Sequence, residues 1–252
     1  MRAARVTGPG RAGANRTRHW RLSSLIVAGE ATATPGTASR DQVVPAPSTA
    51  AGPARLVVLV SGAGTNLSAL LKACGDPGYG ATVVAVGADR DGIAALDLAR
   101  ERGLPTFALR VADCPDRDDW DARMTELVAA HRPDLVVSAG FLKLAGRTFL
   151  DRFEGRYVNT HPALLPAFPG MHGAADALAY GVKVSGATLF VVDAGVDTGA
   201  ILAQRSVDVH DDDTVRSLHE RIKTVERAML VETVGRMVRH GWSLTGRKVT
   251  IP

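Results

Sequence analysis

The stretch Asn159-Thr160-His161-Pro162 carries the residue types best suited to chemistry in this sequence. A residue before proline is held extended, and side chains alternate along an extended chain, so Asn159 and His161 are predicted to project to the same side. The imidazole can exchange protons near neutral pH, and the amide can donate to an oxygen on which negative charge develops. The proline-rich loop that follows, 162–170, is expected to hold the pair rigidly. The alternative is a buried Asn and His without a catalytic role.

The second candidate is the glycine turn Ser61-Gly62-Ala63-Gly64, followed by Thr65 and Asn66. It lies between an apolar run and a helical pattern, which in a parallel sheet is the carboxyl end of a strand, where ligands bind. Backbone N–H groups at a helix start favour an anion, and glycine allows a phosphate to approach closely. The turn lacks the Gly-Lys-Ser/Thr of a triphosphate loop and the third glycine of a dinucleotide fingerprint. It therefore predicts one phosphate group, or else a purely structural turn.

The third candidate is Asp197, which lies in a turn between Gly195 and Gly199. A carboxylate at this position is suited to orient His161 as its imidazolium forms, or to hold a water molecule. The alternative is an ordinary turn Asp that caps its own backbone.

Other reactive residues carry weaker signals. Cys74 and Cys114 have no matched His and Asp pattern, so a thiol nucleophile is not expected. His and acidic residues do not recur at metal-ligand spacing, so no metal is expected. The run His210 to Asp213 is interpreted as a helix cap because aspartates favour helix starts.

These candidates need a scaffold, and from residue 55 the chain alternates short apolar runs with helical patterns. Predicted strands lie at 55–60, 81–86, 106–109 and 135–138, and predicted helices at 65–72, 92–102 and 118–131. Extended segments at 157–161, 185–193 and 200–209 then precede an amphipathic helix that starts near 214 and ends at Gly241. The prediction is an α/β fold, an open and mostly parallel twisted sheet with helices on both faces and its last strands partly antiparallel.

Charge and composition exclude several classes of protein. The chain has 252 residues and a net charge of +4, but residues 1–53 hold seven arginines and only two acidic residues. The remainder, with 23 basic and 24 acidic residues, is nearly neutral and shows no basic face with interleaved aromatics, so nucleic acid is not an expected partner. No apolar run approaches the ~18–20 residues of a membrane helix. Two cysteines favour a reducing compartment, and the cytoplasm is the expected location.

Residues 1–53 are rich in Ala, Arg, Thr, Gly and Pro and are predicted to be a disordered N-terminal extension. Three explanations stay open: an organellar transit peptide, a wrongly assigned start codon, or a genuine flexible tail. No Met lies between Met1 and Met124, so a later start requires a different initiation codon.

Taken together, these stretches resemble the glycinamide ribonucleotide formyltransferase family over roughly 55–240. The matching segments are 60–67, 139–144, 158–172 and 196–199, in the family's order and at about its spacings. The resemblance implies a Rossmann-like formyltransferase fold, with one catalytic domain at 54–252. Its nucleotide-binding half covers about 54–155, and its catalytic and folate-binding half about 156–252. It also implies formyl transfer from 10-formyltetrahydrofolate to the amine of glycinamide ribonucleotide in purine synthesis, with small-molecule substrates, no metal, no membrane, and a monomer or homodimer.

The resemblance also assigns site residues. Asn159, His161 and Asp197 match the family's catalytic trio. Its nucleotide site is matched by Gly64, Thr65, Asn66, Arg117 and Glu226, with Arg117 reaching toward the phosphate and Glu226 toward the ribose. Its folate site is matched by Leu142, Lys143, Leu144, Ala194, Gly195 and Val196. A cis bond at Leu165-Pro166 is expected from the same likeness.

Two residues depart from the family pattern, and three rival functions remain. Phe190 stands where the family usually has histidine, and Lys143 where arginine is common.

A 10-formyltetrahydrofolate deformylase usually has His-His in place of His161-Pro162 and an additional regulatory domain. A methionyl-tRNA formyltransferase needs a basic C-terminal domain. The non-enzyme alternative is a phosphate-ligand sensor that keeps the fold.

Overall fold

The computed structural model describes residues 42–44 and 52–252, which form ten strands, six α-helices and two short 3-10 helices. The strands are β1 Gln42–Val44, β2 Ala54–Val60, β3 Ala81–Ala88, β4 Thr106–Ala108, β5 Leu135–Ser138, β6 Tyr157–His161, β7 Val184–Val191, β8 Ile201–Asp208, β9 Trp242–Thr245 and β10 Lys248–Thr250. The helices are α1 Thr65–Cys74, α2 Ala94–Glu101, α3 Arg117–Ala129, α4 Arg147–Arg152, α5 Gly173–Tyr180 and α6 Val215–His240.

Seven strands make one sheet in the order β4-β3-β2-β5-β6-β7-β8. The first five in this order pair in parallel, whereas β7 pairs antiparallel with both β6 and β8. The predicted fold class, including the partly antiparallel last strands, is therefore confirmed. Because β2, β3, β5 and β6 run in parallel, their carboxyl ends share one edge of the sheet.

Two apolar layers cover the sheet, and β2 shows how one strand serves both. Its side chains alternate, so Leu56, Val58 and Val60 join the layer that contains residues of α1, α2, α5 and α6. Val57 and Leu59 face the opposite layer, built from α3 and α4. Since both faces are covered, the strand needs apolar residues throughout, and this accounts for its unbroken apolar run.

Helix α6 begins as the acidic run predicted, although the cap is not an aspartate. Thr214 is the N-cap, and its hydroxyl accepts from the Ser217 N–H in a capping box. Asp213 instead accepts a hydrogen bond from Arg221. This bond lowers the pKa of the Asp213 carboxyl, and further hydrogen bonds from the Ser217 hydroxyl and the His210 N–H act in the same direction. No helix within residues 42–44 and 52–252 is long and apolar enough to cross a membrane.

The expectation of disorder over residues 1–53 is wrong for residues 42–44. Gln42–Val44 forms β1, which pairs antiparallel with β9, and β9 pairs with β10 in a second, three-stranded sheet. The strand has three residues and gains its partners from the other end of the chain, so no local pattern reveals it. Residues 1–41 and 45–51, with their competing explanations, lie outside the described part of the chain.

Helix α4 was not predicted, because a six-residue helix carries too little periodicity. A side chain from another helix accepts hydrogen bonds from the free N–H groups at the N-terminus of α4. Asp121 of α3 is buried and accepts from the Gly146 N–H at 2.6 Å and the Phe149 N–H at 3.1 Å. A carboxylate at a helix N-terminus is also favoured by the helix dipole.

We expect Asp121→Ala to lower the free energy of unfolding by about 2–3 kcal/mol, because it leaves buried N–H groups without an acceptor. Glu126→Ala, at an exposed position of the same helix, is the matched control and is expected to change it by less than about 0.5 kcal/mol. Urea denaturation of both variants measures the difference. Equal values for the two would contradict the assigned role of Asp121.

Candidate active site

The candidate residues converge on the carboxyl edge of the parallel strands. The glycine turn (61–64) follows β2, the β5–α4 loop (139–146) follows β5, and His161 ends β6. This is the edge at which open α/β sheets bind their ligands. The proline loop (162–170) and the β7–β8 turn (192–200) complete the site beside β6.

His161 is the centre of the arrangement. It is only 4% exposed, and its Nε2 lies 2.7 Å from the carbonyl oxygen of Phe168. Its Nδ1 lies 3.4 Å from Oδ2 of Asp197. The same Oδ2 accepts from the Gly170 N–H at 2.7 Å, which fixes the carboxylate against the proline loop. The structure thus brings together His161 and Asp197, which are far apart in the sequence.

Both ring nitrogens of His161 face oxygen acceptors. A carbonyl can only accept, so the contact with Phe168 requires a hydrogen on Nε2. A neutral ring then presents a bare Nδ1 to the carboxylate, whereas an imidazolium donates at both nitrogens. The two oxygen acceptors therefore fix the orientation of the His161 ring, and the carboxylate of Asp197 lies next to its Nδ1.

The backbone around this pair is strained. Phe168 and Asp197 both have φ of 54°, the left-handed region that non-glycine residues rarely occupy. Such conformations persist where the surrounding structure fixes them, and they cluster at functional sites. Here the Thr188 hydroxyl accepts from the Leu165 N–H and donates to the Ala163 carbonyl, both in the proline loop. The expected cis bond at Leu165-Pro166 is confirmed.

Asn159 lies two residues before His161 on β6. Its register neighbours are Ser138 on β5 and Phe190 on β7, and Phe190 is 1% exposed. Within the described part of the chain, no residue forms a hydrogen bond with the Asn159 side chain. The amide is half-buried beside an aromatic neighbour, so its hydrogen bonds are available to a ligand.

The glycine turn has the geometry expected of an anion site. Gly64 precedes α1 with φ of 75°, and a Cβ there would lie 2.7 Å from Cβ of Ala95, so the close approach of α2 requires glycine. No side chain caps the N-terminus of α1, which leaves its first N–H groups for a ligand, and Thr65 is exposed.

Asn66 does not face this anion site with its amide group. Its Nδ2 donates to Oε1 of Glu226 at 2.8 Å, and both side chains are buried. The structure therefore brings together two of the predicted nucleotide residues, one from α1 and one from α6.

Arg117 lies with the predicted folate residues instead. It is the first residue of α3, its Nη2 donates to the carbonyl of Leu144 at 2.5 Å, and its guanidinium stacks over Trp120 at 4.4 Å. That Arg117 reaches toward the phosphate of the nucleotide stays a prediction.

The β5–α4 loop is tied to the neighbouring strand ends. The Leu142 N–H donates to the Ser61 hydroxyl at 2.9 Å, and Nζ of Lys143 lies 3.4 Å from Oδ2 of Asp89. Leu142 and Leu144 are 52% and 62% exposed, so the loop presents apolar side chains to solvent beside the site. Large exposed apolar side chains beside polar groups are typical of a ligand surface.

The β7–β8 turn forms a second wall. Asp193 accepts from the Gly195 N–H and the Thr198 hydroxyl, which shapes the turn, and Ala194 and Val196 are exposed. Behind it lies a cleft of about 150 Å³, lined among others by Leu150 of α4 and Arg247 of the β9–β10 hairpin.

The buried carboxylate of Asp89 was missed by the sequence interpretation. It follows β3 at the same edge, is 3% exposed and binds Arg90 at 2.7 Å. Burial alone raises the pKa of Asp89, but hydrogen bonds from Arg90, Ser61 and Lys143 outweigh burial and lower it below the usual 3.8. Its position three residues after the predicted strand 81–86 is a signal that could have identified it.

Metal ligands and reactive thiols are the remaining candidates for chemistry in the described residues. Residues 42–44 and 52–252 contain no group of three or more His, Cys, Asp or Glu that could hold a metal ion. Burial raises the pKa of the Cys74 thiol to about 11, which disfavours a reactive thiolate.

Comparison with known proteins identifies the class. The formyl transferase family matches residues 54–234, more than half of the chain, and the chain therefore belongs to this family of enzymes. The phosphoribosylglycinamide formyltransferase of Mycobacterium tuberculosis (strain H37Rv) is 58% identical over 200 residues, which cover 79% of this chain and 92% of that protein.

Solved structures agree with this assignment. Glycinamide ribonucleotide transformylase 1 from Symbiobacterium toebii is 38% identical with a TM-score of 0.77, covering 79% of this chain and 94% of its own. A formyltetrahydrofolate deformylase from Pseudomonas syringae has a TM-score of 0.74 at 22% identity, covering 80% of this chain and 66% of its own. At that identity the second likeness shows the fold alone.

We expect Asp89→Asn to weaken the contact between Nζ of Lys143 and the end of β3, because the substitution removes the negative charge that Lys143 faces. The variant should also lower the free energy of unfolding at neutral pH by about 2 kcal/mol, the size of a hydrogen bond to a charged group. Asp91→Asn, an exposed neighbour, is the control.

The pH dependence of this loss has a definite sign. The pKa of Asp89 is lower in the folded than in the unfolded chain, so its ionised form stabilises the fold above the unfolded value of about 4 and progressively less below it. Urea titrations of both proteins between pH 7 and 3 should show the difference in stability shrinking below about pH 4. A difference that grows as the pH falls would refute the assignment.

Proposed function

We propose that this chain transfers a formyl group from 10-formyltetrahydrofolate to the amine of glycinamide ribonucleotide. The products are N-formylglycinamide ribonucleotide and tetrahydrofolate, in purine biosynthesis. The observation that carries the proposal is the contact of His161 with Asp197, beside Asn159 and on the same sheet edge as the glycine turn. Membership of the formyl transferase family and the 58% identical relative support it.

In the proposed reaction, the neutral amine attacks the formyl carbon and the formyl oxygen becomes negative. Asn159 and protonated His161 donate hydrogen bonds to that oxygen, each donor contributing about 3 kcal/mol to the transition state. For this, a ring N–H of His161 exchanges its present acceptor for the formyl oxygen. The carbon–nitrogen bond to N10 of the folate then breaks.

Asp197 acts on the charge and the proton. Its carboxylate stabilises the imidazolium form of His161 because the two groups are in contact. The attacking amine loses one proton, and N10 of the leaving folate gains one. His161 and Asp197 move that proton through water. Holding the two substrates side by side supplies a further large part of the acceleration.

The substrates are assigned to opposite walls of the site. The nucleotide phosphate binds the N–H groups of Gly64, Thr65 and the start of α1, and Glu226 receives the ribose hydroxyls. Asn66 supports the nucleotide by holding Glu226. The folate binds between the β5–α4 loop with Leu142, Lys143 and Leu144 and the turn with Ala194, Gly195 and Val196. Arg117, at the start of α3, is proposed to reach toward the phosphate of the nucleotide.

The partners, oligomeric state, location and metal requirement are part of the same proposal. The partners are small molecules rather than nucleic acid or membranes, the protein is a monomer or homodimer, and it acts in the cytoplasm. The folate is a co-substrate, and the reaction needs no metal.

The test is a spectrophotometric assay with glycinamide ribonucleotide and 10-formyltetrahydrofolate. Formylated nucleotide and tetrahydrofolate should appear in equal amounts, and only when the nucleotide is present. Folate consumption that is independent of nucleotide would instead identify a deformylase. Tight nucleotide binding without turnover would identify a sensor.

We expect His161→Gln to lower kcat by about 10²–10⁴, the usual contribution of a general acid–base group. Asn159→Ala should lower it by about 10²–10³, as for the loss of one oxyanion donor. The affinity for the nucleotide, measured by calorimetry, should stay within about twofold, because neither residue is assigned to nucleotide binding.

His240→Gln is the matched control for these variants, because His240 is exposed at the end of α6. Its kcat should equal that of the wild type. A His161→Gln variant that retains wild-type turnover would remove the basis of the proposed mechanism.

A further inference from the structure

A buried hydrogen-bond chain links β6 to the start of α1 through α6. The Thr160 hydroxyl donates to Oε1 of Glu226 at 2.5 Å, and Nδ2 of Asn66 donates to the same oxygen at 2.8 Å. All three side chains are buried, at 7%, 7% and 8% exposure. The Thr160 contact has the length of a charge-assisted bond, which is stronger than a neutral one.

The position of Thr160 on β6 gives this chain its importance. Side chains alternate along a strand, so Thr160 points away from the face that carries Asn159 and His161 and toward α6. Strand β6 therefore carries the proposed catalytic pair on one face, and Thr160, which lies between the two residues in sequence, binds Glu226 on the other.

The two donors also determine how Glu226 meets a ligand. Both occupy Oε1, and no residue of the described chain donates to Oε2. Two donors on one oxygen restrict the rotation of the carboxylate, so its second oxygen keeps a preferred direction and stays available to a ligand that carries hydroxyl donors. A buried carboxylate with only one donor is both less satisfied and freer to turn.

We propose that Thr160 is a positioning residue for nucleotide recognition, acting through Glu226 by fixing its carboxylate for the ribose hydroxyls. This rests on the proposed function, which assigns Glu226 to the nucleotide. Thr160 itself touches neither substrate. Its hydroxyl joins β6, which carries the proposed catalytic pair, to α6, which carries Glu226.

Three substitutions separate the hydroxyl from the shape of the side chain. Thr160→Val keeps the shape and removes the hydroxyl, Thr160→Ser keeps the hydroxyl, and Thr160→Ala covers the case in which the valine variant fails to fold. Thr125→Val is the matched control, because the Thr125 hydroxyl is buried and donates to the Asp121 carbonyl within α3.

We expect Thr160→Val to raise the KM and Kd for the nucleotide roughly tenfold, which corresponds to about 1.4 kcal/mol. The KM for the folate and kcat should stay within about twofold of the wild type. Thr160→Ser should restore nucleotide affinity, and Thr125→Val should leave all three constants unchanged. An unchanged nucleotide KM, or a loss confined to kcat, would overturn the proposal.

A double-mutant cycle tests the route through Glu226. On a Glu226→Ala background, Thr160→Val should raise the nucleotide KM no further, because the group it acts through is gone. An equal additional rise on that background would overturn the role of Thr160 while leaving that of Glu226 intact. If Glu226→Ala alone leaves the nucleotide KM unchanged, the proposed nucleotide assignment of Glu226 is what fails, and the role of Thr160 falls with it.

Discussion

The structure depends most on the placement of one imidazole between two oxygen acceptors. His161 lies between the Phe168 carbonyl and the Asp197 carboxylate, and burial keeps bulk water from replacing either contact. Two loops must therefore meet at the ring, one following β6 and one joining β7 to β8. Because both reach it through left-handed backbone, the sheet and its covering helices must hold these loops firmly.

The rest of the fold supplies that rigidity. On the two antiparallel strands, the Thr188 hydroxyl accepts from the Leu165 N–H and the Gln204 amide donates to the Leu165 carbonyl, and these bonds fix the proline loop from outside. The change of strand direction after β6 brings side chains of β7 and β8 alongside the loop that leaves β6. Helix α6 links β6 to the start of α1, because Glu226 accepts from both Thr160 and Asn66.

The sequence predicts the parallel half of the fold well because each buried strand is a continuous apolar run between turn residues. It also predicts the Asn159 and His161 pair, since proline fixes the local geometry. It does not reveal α4 and α5, which are short, or β1, whose partner β9 lies some 200 residues away. It misses Asp89 and Thr160 as well, because only the folded chain shows that these polar side chains are buried and bonded to distant residues.

In the small sheet, the first described strand, β1, pairs with β9, and the last strand, β10, pairs with the other edge of β9. The first and last described strands therefore lie in the same small sheet. The exposed turn at Arg90 and Asp91 is far from both strands in the sequence. Domains with adjacent ends commonly tolerate circular permutation. A permuted chain that joins these ends by a linker and opens elsewhere on the surface would preserve every strand pairing described above.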